Sequence, residues 1–363
     1  MQNIFNFSAG PAMLPQEVMQ QAQEEFINWQ GLGTSVMEVS HRGKPFMEVA
    51  EQAEADLREL LKIPANYTVL FMHGGGRGQF SAVPLNISKP SDLSQHLVSG
   101  QWSIGAEQEA QKFCRSSIVA TSKEIDGKMY VPKQDEWSIS EESGYFHYCT
   151  NETVDGIEIN WVPKSDSGNV PIVADMSSNI LSKPLNIDNY GIIYAGAQKN
   201  IGPSGLSVVI VRNDLVGISR KDTPAIFDYQ LQAKSGSMYN TPPTFSWYLA
   251  GLVFKWLKAQ GGLDTMATLN QRKSDVLYSQ IDATGFYKNN VHTDYRSKMN
   301  VTFKLSDESL NDLFLEQAEH SGLVALKGHR AVGGMRASIY NAMPLTGAQA
   351  LADFMQEFER THG

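Results

Sequence analysis

Disulfides are the first thing this chain cannot rely on: its 363 residues include only two cysteines, Cys114 and Cys149. A reducing compartment is the simpler setting, and burial rather than cross-linking has to hold the fold. Positive charge is also short, with 30 Lys and Arg against 39 Asp and Glu and a formal net charge of −9. That balance argues against nonspecific binding to nucleic acid or an anionic membrane, while leaving room for a local basic pocket. Long apolar runs are missing too. The most apolar helical stretch, 245–257, carries Lys255 and is too short to span a bilayer. Met1-Gln2-Asn3-Ile4-Phe5-Asn6 lacks a basic region followed by an apolar core, so no secretory signal is read and a cytoplasmic location is expected. Two nucleotide motifs are absent: no G-x-x-x-x-G-K-[ST] occurs, and the cluster at 74–78 misses G-x-G-x-x-G because position 79 is Gln. No metal is expected.

What is there begins at 42% hydrophobic content, enough for a large core divided between two domains or a large and a small one. An apolar strand pattern, Gly191-Ile192-Ile193-Tyr194-Ala195-Gly196, delivers Ala197-Gln198-Lys199-Asn200 into a turn before a second apolar run at 206–211. A lysine buried there would lose its proton more readily, and a neutral amine attacks an aldehyde to form a Schiff base. Asp175 ends another short apolar run, Ile172-Val173-Ala174, 24 residues before Lys199, which allows one connection between neighbouring strands. A carboxylate at that strand edge suits a protonated pyridine nitrogen; the alternative is a cap for the Ser177-Ser178 turn. Upstream, the strand pattern Tyr67-Thr68-Val69-Leu70-Phe71-Met72 runs into His73-Gly74-Gly75-Gly76-Arg77-Gly78-Gln79-Phe80. Glycines at a helix start let amide groups converge on an anion, and Arg77 adds charge; a tight turn without a ligand is the alternative.

Six segments in order carry a family resemblance: Asn6-Phe7-Ser8-Ala9-Gly10-Pro11-Ala12, Glu38-Val39-Ser40-His41-Arg42-Gly43, the glycine cluster at 73–80, Tyr194-Ala195-Gly196-Ala197-Gln198-Lys199-Asn200-Ile201-Gly202-Pro203, Asn240-Thr241-Pro242-Pro243-Thr244 and Gly328-His329-Arg330-Ala331-Val332-Gly333-Gly334-Met335-Arg336. Together they resemble the bacterial phosphoserine aminotransferase family, within the class V, fold-type I pyridoxal phosphate enzymes. The resemblance implies pyridoxal 5'-phosphate as cofactor, Lys199 and Asp175 as catalytic residues, and cofactor contacts from Ser8, Gly76, Arg77, Trp102, Thr153 and Gln198. It also implies that Asn240 and Thr241 reach the cofactor from a partner subunit, hence a homodimer with its sites at the interface. His41, Arg42, Arg77, His329 and Arg330 are implied around a phosphate or distal carboxylate, with Arg336 on the α-carboxylate. The implied reaction exchanges the amino group of L-glutamate with 3-phosphohydroxypyruvate, and related enzymes also take 3-hydroxy-2-oxo-4-phosphonooxybutanoate. Without the resemblance, Trp102 reads equally as core packing, Thr153 as a cap hydroxyl, and each His-Arg pair as a solvated surface feature.

Alternating strand and helix patterns over 15–259 predict an α/β region with a mostly parallel sheet covered by helices. The pattern changes near Gln260 to an α+β layer over 260–363, with helices near 264–281, 308–320 and 347–359 and strands near 298–304, 323–326 and 336–340. The resemblance adds residues 1–14 to that smaller domain. A first helix is expected over 15–29 with Val18, Met19, Ala22 and Phe26 on its buried face, and segments 88–94 and 164–169 read as surface loops. Rival functions are another class V aminotransferase or a cysteine desulfurase, a cofactor-free Schiff-base lyase using Lys199, and a nonenzymatic phosphate-metabolite sensor.

Overall fold

A computed structural model describes residues 4–363. The reading of residues 1–6 and the 1–14 segment therefore lie partly outside the described residues. The centre is a seven-stranded sheet whose strands are β1 (Tyr67–Met72), β2 (Leu93–Val98), β3 (Arg115–Thr121), β4 (Ser143–Cys149), β5 (Ile172–Asp175), β6 (Ile192–Gly196) and β7 (Ser207–Arg212). Their spatial order is β1-β7-β6-β5-β4-β2-β3, and β7 alone runs against its neighbours.

Side chains alternate across the sheet, and both faces are buried. From β1, Val69 and Phe71 join one apolar cluster while Leu70 and Met72 join another; β7 divides Val208 and Ile210 from Val209 and Val211 in the same way. One face is covered by helices α1 (Lys44–Leu61) and α4 (Thr244–Ala259), where Trp247 stacks on Phe71 with ring centroids 4.5 Å apart. The other is covered by α2 (Gly75–Ile87) and α3 (Gln101–Ala110), through Phe80, Val83 and Ala106. A separate apolar cluster joins Phe7 to α5 (Gly262–Asp282), the antiparallel strands Tyr287–Lys288, Asn300–Leu305 and Met335–Ser338, and α6 (Leu345–His362). Phe5–Asn6 pairs in parallel with Leu323–Val324.

The first helix departs from expectation. It spans Gln16–Glu24 rather than 15–29, and while Val18 and Ala22 are buried, Met19 and Phe26 are 49% and 47% exposed. The Asn28 side chain accepts the Gly33 amide at 2.7 Å, a local turn that competes with helical pairing and is helped by the glycines at 31 and 33. Segment 88–94 is only partly loop, because Leu93 and Ser94 pair with strands on both sides and the ladder overrides their turn-like composition. Segment 164–169 is irregular, as expected.

Candidate active site

The sheet's connectivity explains why distant residues meet. β1, β2, β4, β5 and β6 all end at one edge, and the residues following those ends build a cavity of about 340 Å³. Carboxyl-terminal strand edges are where open α/β sheets hold ligands, since the chain leaves the sheet there and helix amino termini point inward. Of the predicted residues, Gly76, Arg77, Trp102, Thr153, Asp175, Gln198 and Lys199 line this cavity.

Lys199 is 8% exposed and donates from Nζ to Thr153 Oγ1 at 2.7 Å. Burial lowers its pKa to about 8, although Asp175 pulls the other way. The amine thus gives up its proton far more readily than a solvated lysine. Asp175, the last residue of β5, is paired in register with Tyr194 and Cys149. Its Oδ1 accepts the Ser177 amide at 2.8 Å, so the alternative of a turn cap is part of the truth. Burial raises the Asp175 carboxyl above its ordinary range, against the opposing pull of Ser177 and Lys199. No ion pair among the described residues reaches Asp175; a buried carboxylate facing a cavity in this state suits an incoming cation such as a protonated ring nitrogen.

The candidate anion cradle is the start of α2. Gly74 and Gly75 have φ of 94° and 62°, a left-handed turn that frees the first amides of α2 to face the cavity. A side chain would be tight at Gly76 and Gly196: a Cβ on Gly76 would lie 3.1 Å from Ser177 Oγ, and one on Gly196 3.1 Å from the Gly76 nitrogen. Arg77 lies over the Trp102 ring at 5.1 Å and Lys199 Nζ at 5.6 Å from the same centroid, so the indole is flanked by both cations. The Trp102 indole nitrogen is buried without a partner.

Other predicted residues sit outside the lining. Ser8 lies on the segment whose Ala12 amide donates to the Gln198 carbonyl at 2.9 Å. Arg336 Nη1 donates to the Thr153 carbonyl at 3.4 Å, while its Nε is buried and unpaired; burial lowers its pKa, and its charge is felt at Lys199. His41 Nε2 is likewise buried and unpaired, whereas Arg42 and Arg330 are exposed. His329 is close enough to Asp155 to favour that carboxylate. Asn240 and Thr241 are exposed, with the Thr241 carbonyl 3.1 Å from His73 Nε2. The single chain brings seven of the predicted cofactor residues together around the cavity, keeps Ser8, Asn240 and Thr241 out of its lining, and leaves the two His-Arg pairs on separate loops.

Asn151, Ser177 and Ser178 line the cavity without having been read from the sequence as site residues, and Glu152, outside the lining, was missed as well. Ser177, there only a turn residue, accepts the Gly196 amide through Oγ at 3.0 Å and lines the cavity. Glu152, fully buried, binds the first turn of α3. A signal for it existed: α3 starts after Gly100 with no acidic residue in its first turn, so its amides had to find acceptors elsewhere.

A lysine, a carboxylate and a glycine-lined helix start at this strand edge fit pyridoxal phosphate, and together with the sheet they define a fold-type I pyridoxal phosphate enzyme. Residues 4–351 match the family described as Aminotransferase class-V. The chain belongs to the class V aminotransferases and is a pyridoxal-phosphate-dependent transaminase. Among solved structures it is similar to phosphoserine aminotransferase from Bacillus circulans subsp. alkalophilus, at 42% identity over 99% of each chain with a TM-score of 0.96. It is also similar to pyridoxal-phosphate-bound phosphoserine aminotransferase from Trichomonas vaginalis, at 40% identity over 98% of this chain and 100% of the other, with a TM-score of 0.92.

Proposed function

We propose that this enzyme is a phosphoserine aminotransferase, exchanging the amino group of L-glutamate with 3-phosphohydroxypyruvate to give O-phospho-L-serine and 2-oxoglutarate in serine biosynthesis. The observation that carries this reading is the near full-length likeness, at 40–42% identity, to solved phosphoserine aminotransferases. Bound at this site, pyridoxal phosphate supplies an aldehyde for capturing the amine and a ring that takes up the electron pair released at the substrate's α-carbon. The residues divide the remaining work. Lys199 would hold the cofactor through its amine, and the same amine is the group placed to move the α-proton. Asp175 keeps the ring nitrogen protonated, with Ser177 orienting the carboxylate. Ser8, Gly76, Arg77 and Gln198 would hold the cofactor phosphate, Trp102 would cover the ring, and Thr153 would contact it through its hydroxyl. Arg336 takes the α-carboxylate; its buried, unpaired Nε beside Thr153 is a donor in need of an anion.

His41, Arg42, His329 and Arg330, with Arg77, serve the distal anion, and one basic pocket has to accept both glutamate's carboxylate and a phosphate in turn. The active unit is a cytoplasmic homodimer in which the partner's copies of Asn240 and Thr241 complete the cofactor site; their exposure in one chain supports this. The domain division is 15–259 against 1–14 with 260–363, supported by the apolar cluster joining Phe7 to the carboxyl-terminal helices. A second acceptor, 3-hydroxy-2-oxo-4-phosphonooxybutanoate in pyridoxine biosynthesis, carries the same distal phosphate. Assays pairing glutamate with phosphohydroxypyruvate, with that acceptor and with glyoxylate test the reading. Phosphorylated acceptors are expected to dominate; preference for glyoxylate would overturn it.

A further inference from the structure

We propose that Glu152, assisted by Asp155, is a positioning residue for transamination: it bolts the first turn of α3 to the turn carrying Thr153, so that Trp102 and Thr153 form one rigid clamp around the cofactor ring. The proposal rests on Trp102 covering that ring. Glu152 Oε2 accepts the Trp102 amide at 2.9 Å, and Oε1 accepts the Ser103 amide at 2.8 Å and the Ser103 hydroxyl at 2.6 Å. Asp155 Oδ2 accepts the Gln101 amide at 3.0 Å. Three successive amides at the start of α3 are thereby satisfied by two carboxylates from one short turn some fifty residues downstream.

The same turn faces the chemistry. Between the two acids, Thr153 accepts Lys199 Nζ on its hydroxyl and Arg336 Nη1 on its carbonyl. The approach is close enough to dictate Gly100, where a Cβ would lie 2.3 Å from Asp155 Oδ2 and 2.8 Å from Glu152 Cδ. The indole nitrogen of Trp102 has no partner, so its side chain is flanked by Arg77 and Lys199 without a hydrogen bond of its own. Burying a carboxylate is costly, and burial together with Asp155 raises Glu152 to about 7 while the α3 donors oppose that rise. A helix that needed only capping would be served by an ordinary Ser or Asp at position 100; a fully buried glutamate from the cofactor-contacting turn does more, because it fixes the distance between two walls of one site.

The test uses the full chain, with pyridoxal phosphate titrated into cofactor-depleted protein and followed by visible absorbance and by the circular dichroism induced in the bound cofactor. The variants are Glu152→Ala, Glu152→Gln, Trp102→Ala and the Glu152→Ala/Trp102→Ala double. Glu152→Ala is expected to raise the cofactor Kd about tenfold and reduce the induced signal while far-ultraviolet dichroism stays native. Glu152→Gln, which keeps one acceptor oxygen for Ser103, should fall between, and it takes over the comparison if the alanine variant does not fold. In the Trp102→Ala background, losing Glu152 should add less than about threefold, because its effect runs through the missing indole. Two multiplying effects would reveal mere structural support and overturn the proposal. So would an unaffected Glu152 variant beside a weakened Trp102→Ala. If Trp102→Ala itself binds and signals normally, the ring-covering reading fails and the clamp falls with it.

Discussion

Lys199 has its acidity set by competition between burial, which favours the neutral amine, and Asp175, which favours the ammonium; burial wins and the pKa settles at about 8. The rate at which cofactor-depleted protein captures pyridoxal phosphate is therefore expected to rise with pH through about 8, and stopped-flow absorbance reads it directly; a rise only near the ordinary lysine value of 10.5 would contradict the burial effect. Lys199→Ala should abolish steady-state transamination, and near-normal turnover would refute its assignment. Arg336→Ala should weaken productive binding of both glutamate and phosphoserine. Arg42→Ala or Arg330→Ala should instead harm phosphorylated substrate more than analogues lacking the distal anion; equal losses in kcat/KM would point to a structural role. Lys199 and Asp175 were legible in the sequence because each follows an apolar strand run, which places it at a strand end. Glu152 was not, since its burial and its partners are set by a contact about fifty residues away.

Helix α3 shows how an element's ends can be specified from elsewhere. Gly100→Ala should destabilise the protein by about 1–3 kcal/mol in urea unfolding, because the new methyl group meets two carboxylates that are already hydrogen-bonded and cannot swing aside. An unchanged midpoint would mean that the turn yields freely. Helix α5 carries the fully buried Lys273, whose Nζ donates to the carbonyls of Ile339 and Tyr340 at 3.0 and 2.7 Å, just beyond the Arg336 strand. Periodicity predicted α4, α5 and the last helix within a few residues because their apolar positions recur at helical spacing. It overran on the first helix, whose pairing stops at Glu25 while the apolar residues continue into the Asn28 to Gly33 turn. Strands β1, β5, β6 and β7 were legible from their apolar runs, but β4, Ser143–Cys149, has no β-branched residue to mark it, and the antiparallel placement of β7 is a matter of pairing that no local pattern carries.

Across the whole molecule, buried titratable groups make stability depend on pH. Glu152 keeps its proton in the folded state up to about 7, against an ordinary value of 4.5, so the unfolded chain binds fewer protons and stability falls as pH rises through that window. Lys273 and Lys199 lose theirs at about 7 and about 8 while the unfolded chain keeps them to 10.5, so stability rises again as pH climbs from there towards 10.5. Below neutral pH the buried His147, held down at about 3, opposes Glu152, so for cofactor-depleted protein the clear expectation is a rise in the urea midpoint above about pH 8; a flat profile there would show that burial of the two lysines is relieved. Subunit sharing is testable by mixing Lys199→Ala chains with Asn240→Ala/Thr241→Ala chains under conditions of exchange. A mixed dimer then holds one intact site, and activity absent from both parents should return; no recovery would place Asn240 and Thr241 in their own chain's site. From the sequence alone came the α/β class, the lysine and its acid, and the glycine-rich anion turn, because each depends on residues close together in the chain. Only the tertiary structure decided that Glu152 holds Trp102, that Thr153 receives both Lys199 and Arg336, and that Asn341 ties its amide to Asn200 at 3.0 Å, because burial and hydrogen-bond partners are fixed where distant strand ends meet and not before.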